Sequence, residues 1–157
     1  MFINNPKYSD LKIVSMDDQV IYAHKLIVCH QCSVLDTMIT IEKEIKMDVP
    51  YDILLTFISY LYTGSTIIND NNVMPLYLLS DQYIIALKQD CEKYLSLKLT
   101  IDNIFNYYVL ANTHNSPYLS DCCIKWMNNH YKEVVNHSSF YDLDKHFIQK
   151  ILNSLSK

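Results

Sequence analysis

The periodicity of apolar positions is mixed up to about residue 50 and helical from there on. Leu11, Ile13 and Ser15 alternate with Lys12, Val14 and Met16, as in a short strand. Asp17-Asp18-Gln19 is turn-like, and Val20-Ile21-Tyr22-Ala23 resumes the extended pattern, so 11–23 reads as a hairpin. The run His24 to Cys32 is apolar enough for a buried helix, and Ser33 is placed to cap a second short helix through Met38. A charged stretch from Lys43 to Asp48 carries Ile45-Lys46-Met47, a third strand. From Asp52 the period is helical to the end. Leu54, Phe57, Ile58 and Leu61 make one apolar face, Asp52 stands where an N-cap belongs, and Gly64, the only glycine, closes the helix.

Further helices follow. Asn71 or Asn72 caps one carrying Val73, Leu76, Leu79, Ser80 and Tyr83. Ile84, Leu87, Cys91, Tyr94 and Leu95 form the face of another, and Thr100 opens a third with Ile101, Ile104, Phe105 and Tyr108. Ser116-Pro117 is an N-cap with proline at the first helical position. Leu119, Cys122, Cys123, Trp126, Met127 and His130 keep helical spacing beyond it, with Trp126 expected in the core, and a last helix runs from Asp144 to Leu155. The expected fold is α+β: a small three-stranded sheet flanked by helical hairpins, then an all-helical extension. The boundary is expected near residue 97, giving segments 9–97 and 98–157.

Composition narrows the function. Half the 157 residues are hydrophobic and 19% are charged, enough for a packed core. The net charge is −4 and arginine is absent, which argues against a nucleic-acid surface. There is no signal-like apolar start and no apolar run of membrane-spanning length, so no membrane partner is expected. Five cysteines without a signal suggest reduced thiols and a cytoplasmic protein, with the nucleus as the alternative.

Catalytic and metal readings are weak. Cys29-His30-Gln31-Cys32 has metal-like spacing, but zinc needs four ligands, and the other close pair, Cys122-Cys123, is adjacent on a helix. One glycine leaves no phosphate-cradling loop, and no serine is flanked by glycine as a nucleophile elbow requires. The sequence therefore predicts no enzyme, no cofactor and no metal. His24 reads as a local hydrogen-bonding residue, and Asp10 and Lys25 either pair with each other or line a charged pocket.

Five motifs in order carry a resemblance: Ser9-Asp10-Leu11, Ala23-His24-Lys25, Cys32-Ser33-Val34-Leu35 with Met38, Leu61-Tyr62-Thr63-Gly64, and Cys91-Glu92-Lys93-Tyr94-Leu95. They resemble a BTB/POZ domain. Asn103 to Ala111, the Cys122-to-Tyr131 helix and Ser139-Phe140-Tyr141 are similar to the first helices of a BACK domain, as in kelch-like proteins, though no kelch region follows.

The resemblance implies a protein-binding module without catalysis: an adaptor for the cullin scaffold of a cullin-RING ligase, in the ubiquitin conjugation pathway. It places the cullin-facing surface on Ser33, Leu35, Ile41, Glu42, Glu44 and Tyr62. It maps a charged peptide pocket onto Asp10 and Lys25. The family's cullin motif puts an apolar residue two before a glutamate; here Thr40 precedes Glu42, and Glu42 precedes Glu44. Alternatives are a self-associating scaffold, or a decoy that occupies cullin without delivering substrate. With only eight residues before Ser9, a monomer or a dimer without strand exchange is expected.

Overall fold

The computed structural model describes residues 3–39 and 44–155. The fold is α+β. Strand β1 (Leu11–Val14) runs antiparallel to β2 (Val20–Ala23), with Ile13 opposite Ile21, and parallel to β3 (Glu44–Lys46), with Ile13 opposite Ile45, so the sheet order is β2-β1-β3. Period-two alternation buries Leu11, Ile13, Ile21, Ala23 and Ile45 on one face. Lys12, Tyr22 and Glu44 lie in register across the other.

Helices α1 (Lys25–Gln31) and α2 (Ser33–Ile39) follow β2, and α3 (Tyr51–Thr63) follows β3. Helix α3 packs against α1 and against α4 (Val73–Gln82), and buries Ile53, Leu54, Phe57, Ile58 and Leu61. It begins two residues earlier than expected. Pro50, not Asp52, holds the cap position, and its carbonyl accepts from the Leu54 amide. Asp52 falls in the first turn, where its charge meets the unpaired amides. Gly64 ends α3 with φ +70°, its amide donating to the Tyr60 carbonyl.

Three further expectations change in this part of the chain. Helix α1 is not a buried helix: Val28 is its one fully buried residue and Leu26 is 81% exposed. The cap of α2 comes from Cys32 rather than Ser33, because the Cys32 thiol accepts from the Leu35 amide. Ile84 lies outside α5 (Leu87–Ser96) altogether. It follows α4 with φ +53° and is 80% exposed. The Ile84 amide donates to the Asp81 carbonyl and the Ile85 amide to the Ser80 carbonyl, which is the Schellman pattern with isoleucine where glycine is usual.

The chain divides into two compact units, 1–91 and 92–157. The second holds α6 (Ile104–Thr113), α7 (Pro117–Asn129), α8 (Tyr131–Asn136), α9 (Ser138–Tyr141) and α10 (Lys145–Leu155). Helix α7 packs on α6, α8 and α10, around Phe105, Tyr108, Leu119, Cys123 and Met127. Phe105 stacks on His137 at 5.5 Å, and Tyr108 meets Phe147 edge-on. Helix α6 opens at Ile104, four residues after Thr100, because Thr100 belongs to a side-chain bracket before the helix. Asn103 accepts from the Thr100 amide and donates to the Lys98 carbonyl. Asn72 makes the same bracket before α4, with the Asn69 amide and the Ile67 carbonyl. Trp126 is half-buried instead of core. Its indole stacks on His130 at 4.0 Å, and the Trp126 carbonyl contacts His130 Nδ1 at 2.9 Å.

Candidate docking site

The end of β2 and the last turn of α3 meet at Tyr62. Its position one turn off the buried face of α3 leaves the ring half-buried. The hydroxyl oxygen accepts from the His24 amide at 2.8 Å and lies 2.9 Å from His24 Nδ1. With the oxygen taken by the amide, its proton is directed at Nδ1, which favours a His24 ring protonated at Nε2. The two rings meet edge to face at 6.1 Å. Burial pushes the Tyr62 phenol above its ordinary range; the His24 amide opposes this and the Asp10 charge adds to it. A large aromatic ring is thus fixed by its polar tip while part of its flank meets solvent. That is the form of an interface anchor, which loses little entropy when covered.

Asp10 and Lys25 sit beside this pair but do different work. The Asp10 carboxylate accepts from the Lys25 amide at 2.8 Å and so satisfies the first turn of α1. The Lys25 ammonium donates to the Ile39 carbonyl at the end of α2, at 3.3 Å. The two side chains open on separate depressions. Asp10 lines one of about 520 Å³ with Lys12, Tyr22 and Glu44. Lys25 lines another with Leu26, Cys29 and Asp36. Asp10 and Lys25 thus meet through the Lys25 amide, while their charged groups serve different helix ends.

The remaining candidates separate by burial. Ser33 is exposed on the first turn of α2. Glu44 is exposed at the start of β3, and Asp10 links its depression to the His24–Tyr62 pair. Leu35 is fully buried and holds α2 against the core, so it offers no surface to a partner. Ile41 and Glu42 lie outside the described residues. The His24–Tyr62 bond was not visible in the sequence, although a histidine closing a strand is a fair signal of a fixed polar contact.

The thiols are structural. Cys32 donates to the Tyr83 carbonyl while capping α2. Burial raises the pKa of Cys29, with the neighbouring Asp36 adding to the effect. Burial lifts Cys123 to about 12, helped by Cys122. Such thiols are poor nucleophiles and poor metal ligands near neutral pH. No group of three or more His, Cys, Asp or Glu among the described residues converges as a metal site would. No helix among them is long and apolar enough to cross a membrane.

Comparison with known proteins gives a consistent pattern. The family model of the BTB/POZ domain matches residues 1–99. A BTB/POZ domain-containing protein of Arabidopsis thaliana is 28% identical over 148 residues, which cover 87% of this chain and 61% of that protein. Armadillo BTB Arabidopsis protein 1 is 26% identical over 96% of this chain and 21% of its own length. Human Kelch-like protein 7 is 26% identical over 90% of this chain and 25% of its own length. The chain thus spans between about a fifth and three fifths of these curated relatives.

Proposed function

Because the chain belongs to the BTB/POZ domain family, whose members are protein-interaction modules, we propose that it is an adaptor docking on the cullin scaffold of a cullin-RING ubiquitin ligase. Tyr62 is the observation that carries the reading: a partly exposed aromatic side chain held by its hydroxyl at the junction of β2, α1 and α3. Ser33 and Glu44 supply polar rim contacts, and Ile41 and Glu42 belong to the same surface in this reading. Residues 9–97 form the BTB/POZ domain and 98–157 the first helices of a BACK domain. The similarity to Kelch-like protein 7, which covers 90% of the chain and so extends past residue 99, supports that assignment. The protein acts in the cytoplasm.

The test is binding of the full chain to the N-terminal half of a cullin. Tyr62→Ala should weaken it about thirtyfold, the loss of a good anchor at ~2 kcal/mol. Tyr62→Phe keeps the ring and should stay within about threefold of the parent. Absence of binding at tens of micromolar, or equal binding by Tyr62→Ala, rejects the reading.

Self-association is a second reading. Leu26 on α1 and Met38 on the adjacent α2 are large apolar side chains left open to water. Leu26→Lys should lower the molar mass by light scattering if this pair is an interface.

A further inference from the structure

Strand β2 is an edge of the sheet, and Tyr22, like Val20 before it, turns its backbone groups outward from it. The Tyr22 pair is not left to water. The Asn4 amide donates to the Tyr22 carbonyl at 2.9 Å, and the Tyr22 amide donates to Asn4 Oδ1 at 3.2 Å. One residue therefore imitates a paired strand, using its backbone for one bond and its side chain for the other. It can do so because it is left-handed, with φ +59°, a conformation asparagine tolerates far better than most residues. The Asn4 side-chain amide then donates to the Tyr51 hydroxyl at 2.9 Å, tying the clasp to the start of α3.

We propose that Asn4 is an edge guard: it occupies the hydrogen-bonding pair of Tyr22 and thereby keeps β2 from pairing with β2 of a second copy of this chain. The occupant follows from the geometry of the pair. An outward residue offering one donor and one acceptor is complementary to itself. Two β2 strands meeting antiparallel about Tyr22 would exchange both bonds across a two-fold axis. The edge also lacks the usual protections of lysine or proline within the strand, since β2 reads Val-Ile-Tyr-Ala. The side chains that would flank such a pairing are uncharged, apart from Lys25 at the start of α1 and Asp18 at the preceding turn. The Lys25 ammonium donates to the Ile39 carbonyl and the Asp18 carboxylate pairs with Lys46 at 2.7 Å, so both charges are engaged within the chain.

This inference does not depend on the cullin reading, and it uses a different surface from the Leu26–Met38 pair. The experiment is amide exchange at Tyr22 combined with light scattering, on the full chain, across a concentration series. In the parent the Tyr22 amide should exchange slowly at every concentration. In Asn4→Ala it should exchange at least about tenfold faster in dilute solution, because the acceptor is gone. It should become slow again on concentrating the sample, as the mass rises to twice that of the parent. Asn4→Asp keeps an acceptor oxygen and should behave as the parent does. Leu26→Lys combined with Asn4→Ala should still show the concentration-dependent protection, which separates β2 pairing from association through α1. Exchange at Tyr22 that is equally fast in parent and Asn4→Ala overturns the guard. Fast exchange in Asn4→Ala with no protection on concentrating overturns the self-pairing.

Discussion

Tyr62 carries two roles on one side chain, and they can be pulled apart. The hydroxyl supports the fold through the His24 amide, while the ring flank is the candidate contact. Tyr62→Phe leaves that partly buried amide without its acceptor and should cost about 1–2 kcal/mol in urea unfolding, with no large effect on partner affinity. Cys123 offers a second measurement at this scale. Its pKa is raised from 9.0 to about 12, so the folded chain keeps a proton that the unfolded chain releases. The associated stability is complete below pH 9 and is lost as pH rises toward 12, at ~1.4 kcal/mol per pH unit for this group. Urea midpoints measured from pH 8 to 10.5 should fall, and Cys123→Ala should flatten the slope even though it lowers the midpoint at every pH. An unchanged slope would assign the alkaline loss to the buried tyrosines instead.

Helix ends give the clearest contrasts between elements. Gly64 and Ile84 occupy equivalent left-handed positions after α3 and α4, yet one is glycine and the other a β-branched residue. A Cβ at Gly64 would meet nothing within 4 Å, so Gly64→Ala carries only conformational strain, about 1 kcal/mol of lost stability. Ile84→Gly should do the reverse and raise stability by ~1 kcal/mol, since the exposed side chain contributes little burial. A destabilised Ile84→Gly would show that the side chain is held by something other than the turn. The sequence makes Gly64 easy to read because glycine announces a left-handed residue. Ile84 was misplaced for the opposite reason: its apolar side chain fits the helical period, and the hydrogen bonds that end α4 override it. The same limit applies to Asp52, Ser33 and Thr100, where cap chemistry within a residue or several decides the start of a helix.

For the molecule as a whole, the β1–β2 hairpin and the buried face of α3 are open to sequence reasoning, because period-two and period-3.6 patterns state which side is dry, whereas the parallel pairing of β3 with β1 is not, because periodicity does not name a strand's partner. The site is only partly legible. Tyr62 is legible because it lies off the apolar face of α3, while the burial of Leu35 is not, because an apolar residue in a family motif does not say which way it points. Asp10 and Lys25 looked like a pair from their charges, and only the fold shows each at a separate helix end. The net charge of −4 and the apolar character of the Tyr62 anchor also set an expectation for binding. Cullin affinity should vary by less than about threefold between low and physiological salt, where a charge-steered contact would vary more. A steep salt dependence would move the contact away from Tyr62 and toward the exposed carboxylates.

The buried thiols give each unit its own gauge of opening. Cys32 is shut between the Leu35 amide and the Tyr83 carbonyl, and Cys123 is enclosed under α7, whereas Cys29 and Cys122 are within reach of solvent. An alkylating reagent should therefore reach Cys29 and Cys122 first, Cys29 slowed by its raised pKa, and Cys32, Cys91 and Cys123 only as fast as α2, α5 or α7 breathes. The lag at each site would report, without any introduced label, how often that part of the chain comes apart and whether a bound partner holds it closed.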